Sequence, residues 1–179
     1  MVAIMLDLET LGTKPGCAVL SVGAAAFIPE TGDLRGEFYR SICPESSAAA
    51  GLTASPSTVA WWMRQHPQAQ SEAFAAKWTL PDAAHDFCEW FGMVSGPGTE
   101  VWSQGTDFDP PIWAAAMKAV GIAQPWAFWA TRDTRTLYSV SGFDRASVPF
   151  EGRAHNALDD ARHQVRCVAA CFALLGGAA

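Results

Sequence analysis

Two carboxylates separated by a single residue, Asp7 and Glu9, close the first apolar run of the chain. Residues at i and i+2 of a strand point to the same face of a sheet. Acids held side by side repel each other, and a Mg²⁺ or Mn²⁺ between them removes that cost. A strand running out into solvent is the plainer alternative. Near the other end, Asp160 poses a sharper question. At about 100° per helical residue it shares a face with Gln164, Cys167, Val168, Cys171, Leu174 and Leu175. A carboxylate heading an apolar stripe needs a partner, and a metal ion supplies one. Its neighbour Asp159 falls instead with Arg162, His163 and Arg166. A surface role explains it: the helix dipole, a box-like contact with an Asn156 cap, and an ion pair.

Between these ends lies Trp102-Ser103-Gln104-Gly105-Thr106-Asp107-Phe108-Asp109-Pro110-Pro111. Asp109 can cap a helix that has proline at its first position, and a strand-to-helix junction lets the same residue bind a metal. Asp107 stands as an equally acidic alternative. A different metal reading takes His155, Asp159 and His163, at i, i+4 and i+8, as zinc ligands on one helix face. That face is the polar one, no cysteine joins it, and His155 precedes the helix. The carboxylate set is therefore preferred.

The elements that must position these groups follow from periodicity and turn residues. Val2 to Leu8 reads as a buried strand, Ala18 to Ile28 as a second, and Leu34 to Ile42 as a third, joined by short turns into an antiparallel meander. Ser57 to Gln65 reads as a helix capped by Ser55 or Ser57, Pro67 to Phe74 as another, and Asp82 to Phe91 as a third. Glu100 to Ser103 is a fourth strand, Pro110 to Val120 a helix, Ala127 to Ala130 a fifth strand and Thr134 to Val140 a short helix. The last helix runs from Asn156 to about Leu175. Strands first, then helices interleaved with two more strands, predict a mixed α/β sandwich.

Taken together, Asp7-x-Glu9, Phe108-Asp109 after a strand and glycine, and His155-x-x-x-x-Asp160 near the end resemble the DEDDh exonucleases. The resemblance spans nearly the whole chain. It narrows with Asp7-Leu8-Glu9-Thr10-Leu11-Gly12-Thr13, Ser21-Val22-Gly23-Ala24, Ser57 to Gln65 and Arg132-Asp133-x-Arg135-Thr136-Leu137. These are similar to a branch containing a mycobacterial-type 3′–5′ exoribonuclease and exonuclease VIII-like phage nuclease domains. Gln104, where asparagine is frequent, and the Pro110-Pro111 pair depart from that pattern without removing a metal ligand.

The resemblance implies a ribonuclease H-like fold: a mixed five-stranded sheet, its first three strands antiparallel, flanked by helices. It implies a single exonuclease domain over residues 1–179, with a helical insertion at about 52–96. It also implies that Asp7, Glu9, Asp109 and Asp160 hold two Mg²⁺ or Mn²⁺ ions and that His155 is the general base. The activity would be 3′–5′ hydrolysis of nucleic-acid ends, DNA or RNA, to nucleoside 5′-monophosphates. Thr10 and Leu11 would meet the terminal nucleotide. Trp61 and Trp62 would stack on bases, with one of the two expected in the core because adjacent helical positions diverge. Arg132 would bind substrate, and Lys14, Arg135 and Arg153 are further candidates for phosphate contacts.

Composition agrees with this. Of 179 residues 50% are hydrophobic and 17% charged, enough for a packed core, and the net charge of −6 argues against a protein that coats nucleic acid electrostatically. Five cysteines without a CxxC pair read as core thiols of a cytoplasmic protein. No basic n-region opens the chain and no apolar run spans a bilayer, so no membrane partner is expected. The branch includes homodimers and larger assemblies, and eight tryptophans suit an interface or a core. Two rival functions remain: an endonuclease or other phosphodiesterase on the same fold, and a catalytically silent nucleic-acid-binding module.

Overall fold

The computed structural model describes residues 1–74 and 78–176. Parts of the expected 52–96 insertion and 1–179 domain, residues 75–77 and 177–179, lie outside them. Five strands form one sheet: β1 (Ala3–Thr10), β2 (Val19–Phe27), β3 (Leu34–Ser41), β4 (Val101–Ser103) and β5 (Thr131–Asp133). Their order is β3-β2-β1-β4-β5. The β1–β2 and β2–β3 pairs are antiparallel, whereas β4 joins β1, and β5 joins β4, in parallel. The expected meander with two added strands is what forms.

The period of two along β1 decides where chemistry can sit. Ile4, Leu6 and Leu8 point into the larger apolar cluster, under α4 (Leu80–Val94) and α5 (Asp109–Ala119). There Phe87 packs against Trp90, Phe91, Trp113 and Trp126. Ala3 and Met5 point to the opposite face with Ala25 and Phe27, under α7 (Ala157–Gly176). Asp7 and Glu9 continue that second series, so both acids face α7. Opposite Asp7 stands Gly23. A Cβ there would lie 2.2 Å from the Ala157 carbonyl carbon, so glycine lets the start of α7 rest directly on the sheet.

Several boundaries differ from the sequence reading. Ala127 to Ala130 is not a strand: Phe128–Ala130 makes a 3₁₀ turn, and β5 follows at Thr131–Asp133. This edge strand is three residues long and polar, so it carries no apolar alternation to read. A helix α1 (Pro44–Ala49), opened by Pro44, was not expected. The middle helices form as α2 (Pro56–Trp62) and α3 (Pro67–Ala73), and the short late helix as α6 (Thr134–Ser141). All five cysteines are free thiols, with Cys43 and Cys88 only half-buried rather than in the core. Among the described residues, no helix is long and apolar enough to cross a membrane.

Candidate active site

A cleft of about 640 Å³ opens where β1 and β4 end and α7 begins. Its floor is carboxylate. Asp7, Glu9 and Asp160 each offer an oxygen within 4.8 Å of the others, and Asp109 lines the same cleft. The α2 helix contributes Ser57, Thr58, Trp61 and Trp62, and His155 sits beside them. Gln104, Asp107, Arg135 and Arg145 also line it.

Each acid is fixed by a different element. The strand geometry of β1 sets Asp7 and Glu9 side by side, and an irregularity in the β1–β2 register follows Glu9. Asp109 is not the cap of α5, as the sequence suggested; Phe108 is, and Asp109 is the first helical residue. Its Oδ1 accepts the Leu8 backbone N–H at 3.1 Å, which ties this buried acid to the strand between Asp7 and Glu9. Asp107 is exposed at the rim. Asp160 sits in the first turn of α7, and its Oδ2 is buried with no hydrogen-bond partner. One turn later the Gln164 amide donates to Asp7 Oδ1 at 2.7 Å. Sequence reading put Gln164 on the Asp160 face without giving it a role.

Electrostatics record the crowding. Burial is the largest cause of a raised pKa at all four acids. Like charge adds to it: Asp109, Glu9 and Asp160 push Asp7 well up, against the Gln164 hydrogen bond. Glu9 is pushed to about 8 by burial, Asp160 and Asp109. Asp109 also reaches about 8 although the Leu8 N–H and Arg135 oppose its burial. Asp160 is raised by burial against the favourable charge of His155. Four acids that resist ionisation together, one with an orphaned buried oxygen, fit hard divalent cations in chemistry and charge.

The other expected residues divide. His155 has a φ of 63°, a left-handed conformation, and its ring rests edge-on against Trp61 and Trp62, at 5.0 and 6.0 Å between centroids. Trp62 is 1% exposed and donates from Nε1 to the Thr10 carbonyl at 2.9 Å, so it belongs to the core and braces the end of β1. Trp61 keeps 37% exposure and lines the cleft. Thr10 lines the cleft, its hydroxyl bonded to the Gly12 carbonyl. Leu11 is packed into the larger core and is not among the cleft residues. Arg132 is also outside the cleft, where its guanidinium holds Glu100 at 2.8 Å and the Trp129 and Thr131 carbonyls. Arg153 is held by Asp159 and Glu72. Lys14 is exposed and does not line the cleft.

The zinc alternative fails on geometry. Asp159 is buried, not on the surface, and is taken by Arg153 and Arg162. His163 is buried against Phe150 with Nε2 3.6 Å from the Cys167 sulfur. Among the described residues, the three do not converge.

A family model described as the 3′-5′ exoribonuclease Rv2179c-like domain matches residues 2–172. The chain belongs to that family. Membership makes it a nuclease of the hydrolase class, and the DEDDh resemblance holds. Similar solved structures include the nuclease domain of 3′hExo, a DEDDh family member bound to rAMP. That match has 15% identity and a TM-score of 0.62, covering 98% of this chain and 92% of that one. Escherichia coli exonuclease I in a zinc-bound complex with single-stranded DNA is similar at 16% identity and a TM-score of 0.69, covering 94% of this chain but 39% of that one. A 3′-exonuclease recognising the histone mRNA stem-loop matches at 14% identity and a TM-score of 0.62, covering 98% and 82%. These likenesses establish the ribonuclease H-like fold, with its mixed sheet flanked by helices. No curated protein matches the chain.

Proposed function

We propose that this chain removes nucleoside 5′-monophosphates one at a time from the 3′ end of a nucleic-acid strand, with RNA as the leading substrate. The observation that carries the reading is the floor of the cleft, where three carboxylates share one small space and a buried Asp160 oxygen lacks a partner. Asp7, Glu9, Asp109 and Asp160 would hold two Mg²⁺ or Mn²⁺ ions, whose chemistry when bound is to acidify water and neutralise phosphate charge. RNA leads because the family is described as exoribonucleolytic. On this reading residues 1–179 act as one exonuclease domain, with about 52–96 as its helical insertion.

The chain's own groups then have distinct tasks. Trp61, half-open to the cleft, stacks on a base near the 3′ end. Trp62 holds the Thr10 carbonyl and so keeps the β1 terminus in place beneath that nucleotide. His155 swings off Trp61 to accept a proton from the attacking water. Oxygen from that water bonds to phosphorus, the bond to the 3′-oxygen breaks, that oxygen takes a proton and stays on the shortened strand as a 3′-hydroxyl, and the phosphate leaves on the released nucleotide. Gln164 orients Asp7.

Purified protein incubated with Mn²⁺ and 3′-tailed duplexes of RNA and of DNA tests this, with Asp160→Asn and circular strands as controls. Single-nucleotide shortening of linear ends, untouched circles and an inactive variant are expected. Cut circles would move the reading to an endonuclease, and binding without cleavage in any metal would move it to a silent module.

A further inference from the structure

We infer that Arg135 and Arg145, which line the cleft with Trp61, form a phosphate clamp that grips the strand beside the carboxylate floor. The inference rests on the nuclease reading and adds the groups that hold the substrate's backbone.

The starting point is a charge problem. The chain carries a net charge of −6, and its cleft holds Asp7, Glu9, Asp107, Asp109 and Asp160. A polyanion entering there needs cations that are not already neutralised. Of the nine arginines in the sequence, six are in ion pairs: Arg35 with Asp33, Arg40 with Asp86, Arg132 with Glu100, Arg153 with Glu72 and Asp159, Arg162 with Glu37 and Asp159, and Arg166 with Glu151. Among the described residues Arg64, Arg135 and Arg145 are in none. Of these, Arg135 and Arg145 line the cleft, and among the described residues no lysine joins them there.

Both are presented by built structure. Arg135 lies in the first turn of α6, whose N-cap Asp133 accepts the Arg135 and Thr136 backbone N–H groups. Its guanidinium rests over Gly105, where a Cβ would come within 3.1 Å of it. Gly105 has a φ of 112° and sits in the loop leading to Asp109. Arg145 follows the left-handed Gly142 that ends α6 and opens the 3₁₀ turn Arg145–Ser147. Asp144 fixes that turn by accepting the Ala146 N–H at 2.9 Å. The field of Arg135 reaches Asp109 and that of Arg145 reaches Asp160. Both cations therefore line the cleft close enough to act on its carboxylates. A guanidinium fork suits phosphate oxygens bidentately, and an exposed one is free to do so.

The test is binding, separated from turnover. The inactive Asp160→Asn protein is titrated in Mg²⁺ with a 5′-fluorescein single-stranded hexaribonucleotide bearing a 3′-hydroxyl, at several salt concentrations, by fluorescence anisotropy. Adding Arg135→Gln or Arg145→Gln should weaken binding roughly tenfold each. Each should also reduce the slope of log affinity against log salt by about 0.7. Lysine at either position should restore the slope, and melting temperatures should not change. Binding that keeps its slope after both glutamine substitutions overturns the clamp and leaves the nuclease reading standing. Absence of binding before any arginine is altered overturns both.

Discussion

Asp159 and Asp160 are consecutive residues in the first turn of one helix, and their surroundings are opposite. Asp159 is saturated. Its Oδ2 accepts the Arg153 backbone N–H and the Arg153 guanidinium, both at 3.0 Å, and its Oδ1 accepts Arg162 at 2.9 Å. Burial pushes its pKa up, but these donors outweigh burial and hold it below the usual carboxylate range. Asp160 shares its space with Asp7 and Glu9, keeps a buried oxygen without a donor, and has its pKa raised. One acid organises the protein around itself; the other is left in want of a cation. A rotation of about 100° about the helix axis separates these surroundings, so one face of α7 is tied into the scaffold and the adjacent face opens on the carboxylate cleft.

The comparison can be broken most severely at Asp160. Asp160→Asn should lower turnover by about a thousandfold or more, a loss of several kcal/mol of charge stabilisation. The same change relieves repulsion, so the metal-free protein should melt a few degrees higher. A variant that is inactive because it is unfolded would contradict this. Next in size is Gly23→Ala, which disturbs both aspartates together. A methyl group 2.2 Å from Ala157 must lift the start of α7 from the sheet. The expected cost is about 1–3 kcal/mol of stability and roughly a hundredfold in rate, read by thermal melting and steady-state kinetics.

Asp159→Asn should do the reverse of Asp160→Asn: stability falls by about 1–3 kcal/mol while cation uptake persists. The loss is limited because Arg162 keeps Glu37 and Arg153 keeps Glu72. Since Arg153 lies two residues before His155, activity should also fall, through a looser loop. Retained stability would show that the Arg153–Asp159–Arg162 contacts contribute little.

The smallest effect is a pH dependence. Glu9 and Asp109 titrate near 8 when folded, against ordinary values of 4.5 and 3.8. Between those limits the unfolded chain has released protons that the folded chain retains. The contribution of these two acids to the stability of the metal-free protein is therefore greatest below about 4 and declines as pH rises towards 8. Cations must displace the same protons, so the rise in melting temperature on adding Mn²⁺ should be larger at pH 8 than at pH 5.5. Equal rises at both pH values would show that these acids are ionised without metal.

The scaffold-and-floor contrast was only half legible in the sequence. Asp7 and Glu9 were readable because a strand's period of two needs no tertiary information. Asp160 was readable because it heads an apolar stripe. Burial of Asp159 was not, since it depends on Gly152, at a φ of 116°, folding the chain back so that Arg153 meets the acid. It also depends on Glu37, 125 residues from the Arg162 it binds. Sequence hardly distinguishes Asp107 from Asp109; burial and the hydrogen bond from Leu8 set Asp109 apart. Arg132 and Leu11 looked suited to the cleft by position in a motif, but Glu100 and the core take them. Arg145 carried no local signal, because its value lies in its place in the cleft and in forming no ion pair among the described residues.

The most direct test of the central claim is Mn²⁺ uptake followed by electron paramagnetic resonance of the free ion, on wild-type protein, Asp159→Asn and Asp160→Asn. Two ions per chain are expected for wild type and for Asp159→Asn, with at least one lost in Asp160→Asn. Equal uptake by wild type and Asp160→Asn, or none by wild type, would contradict it.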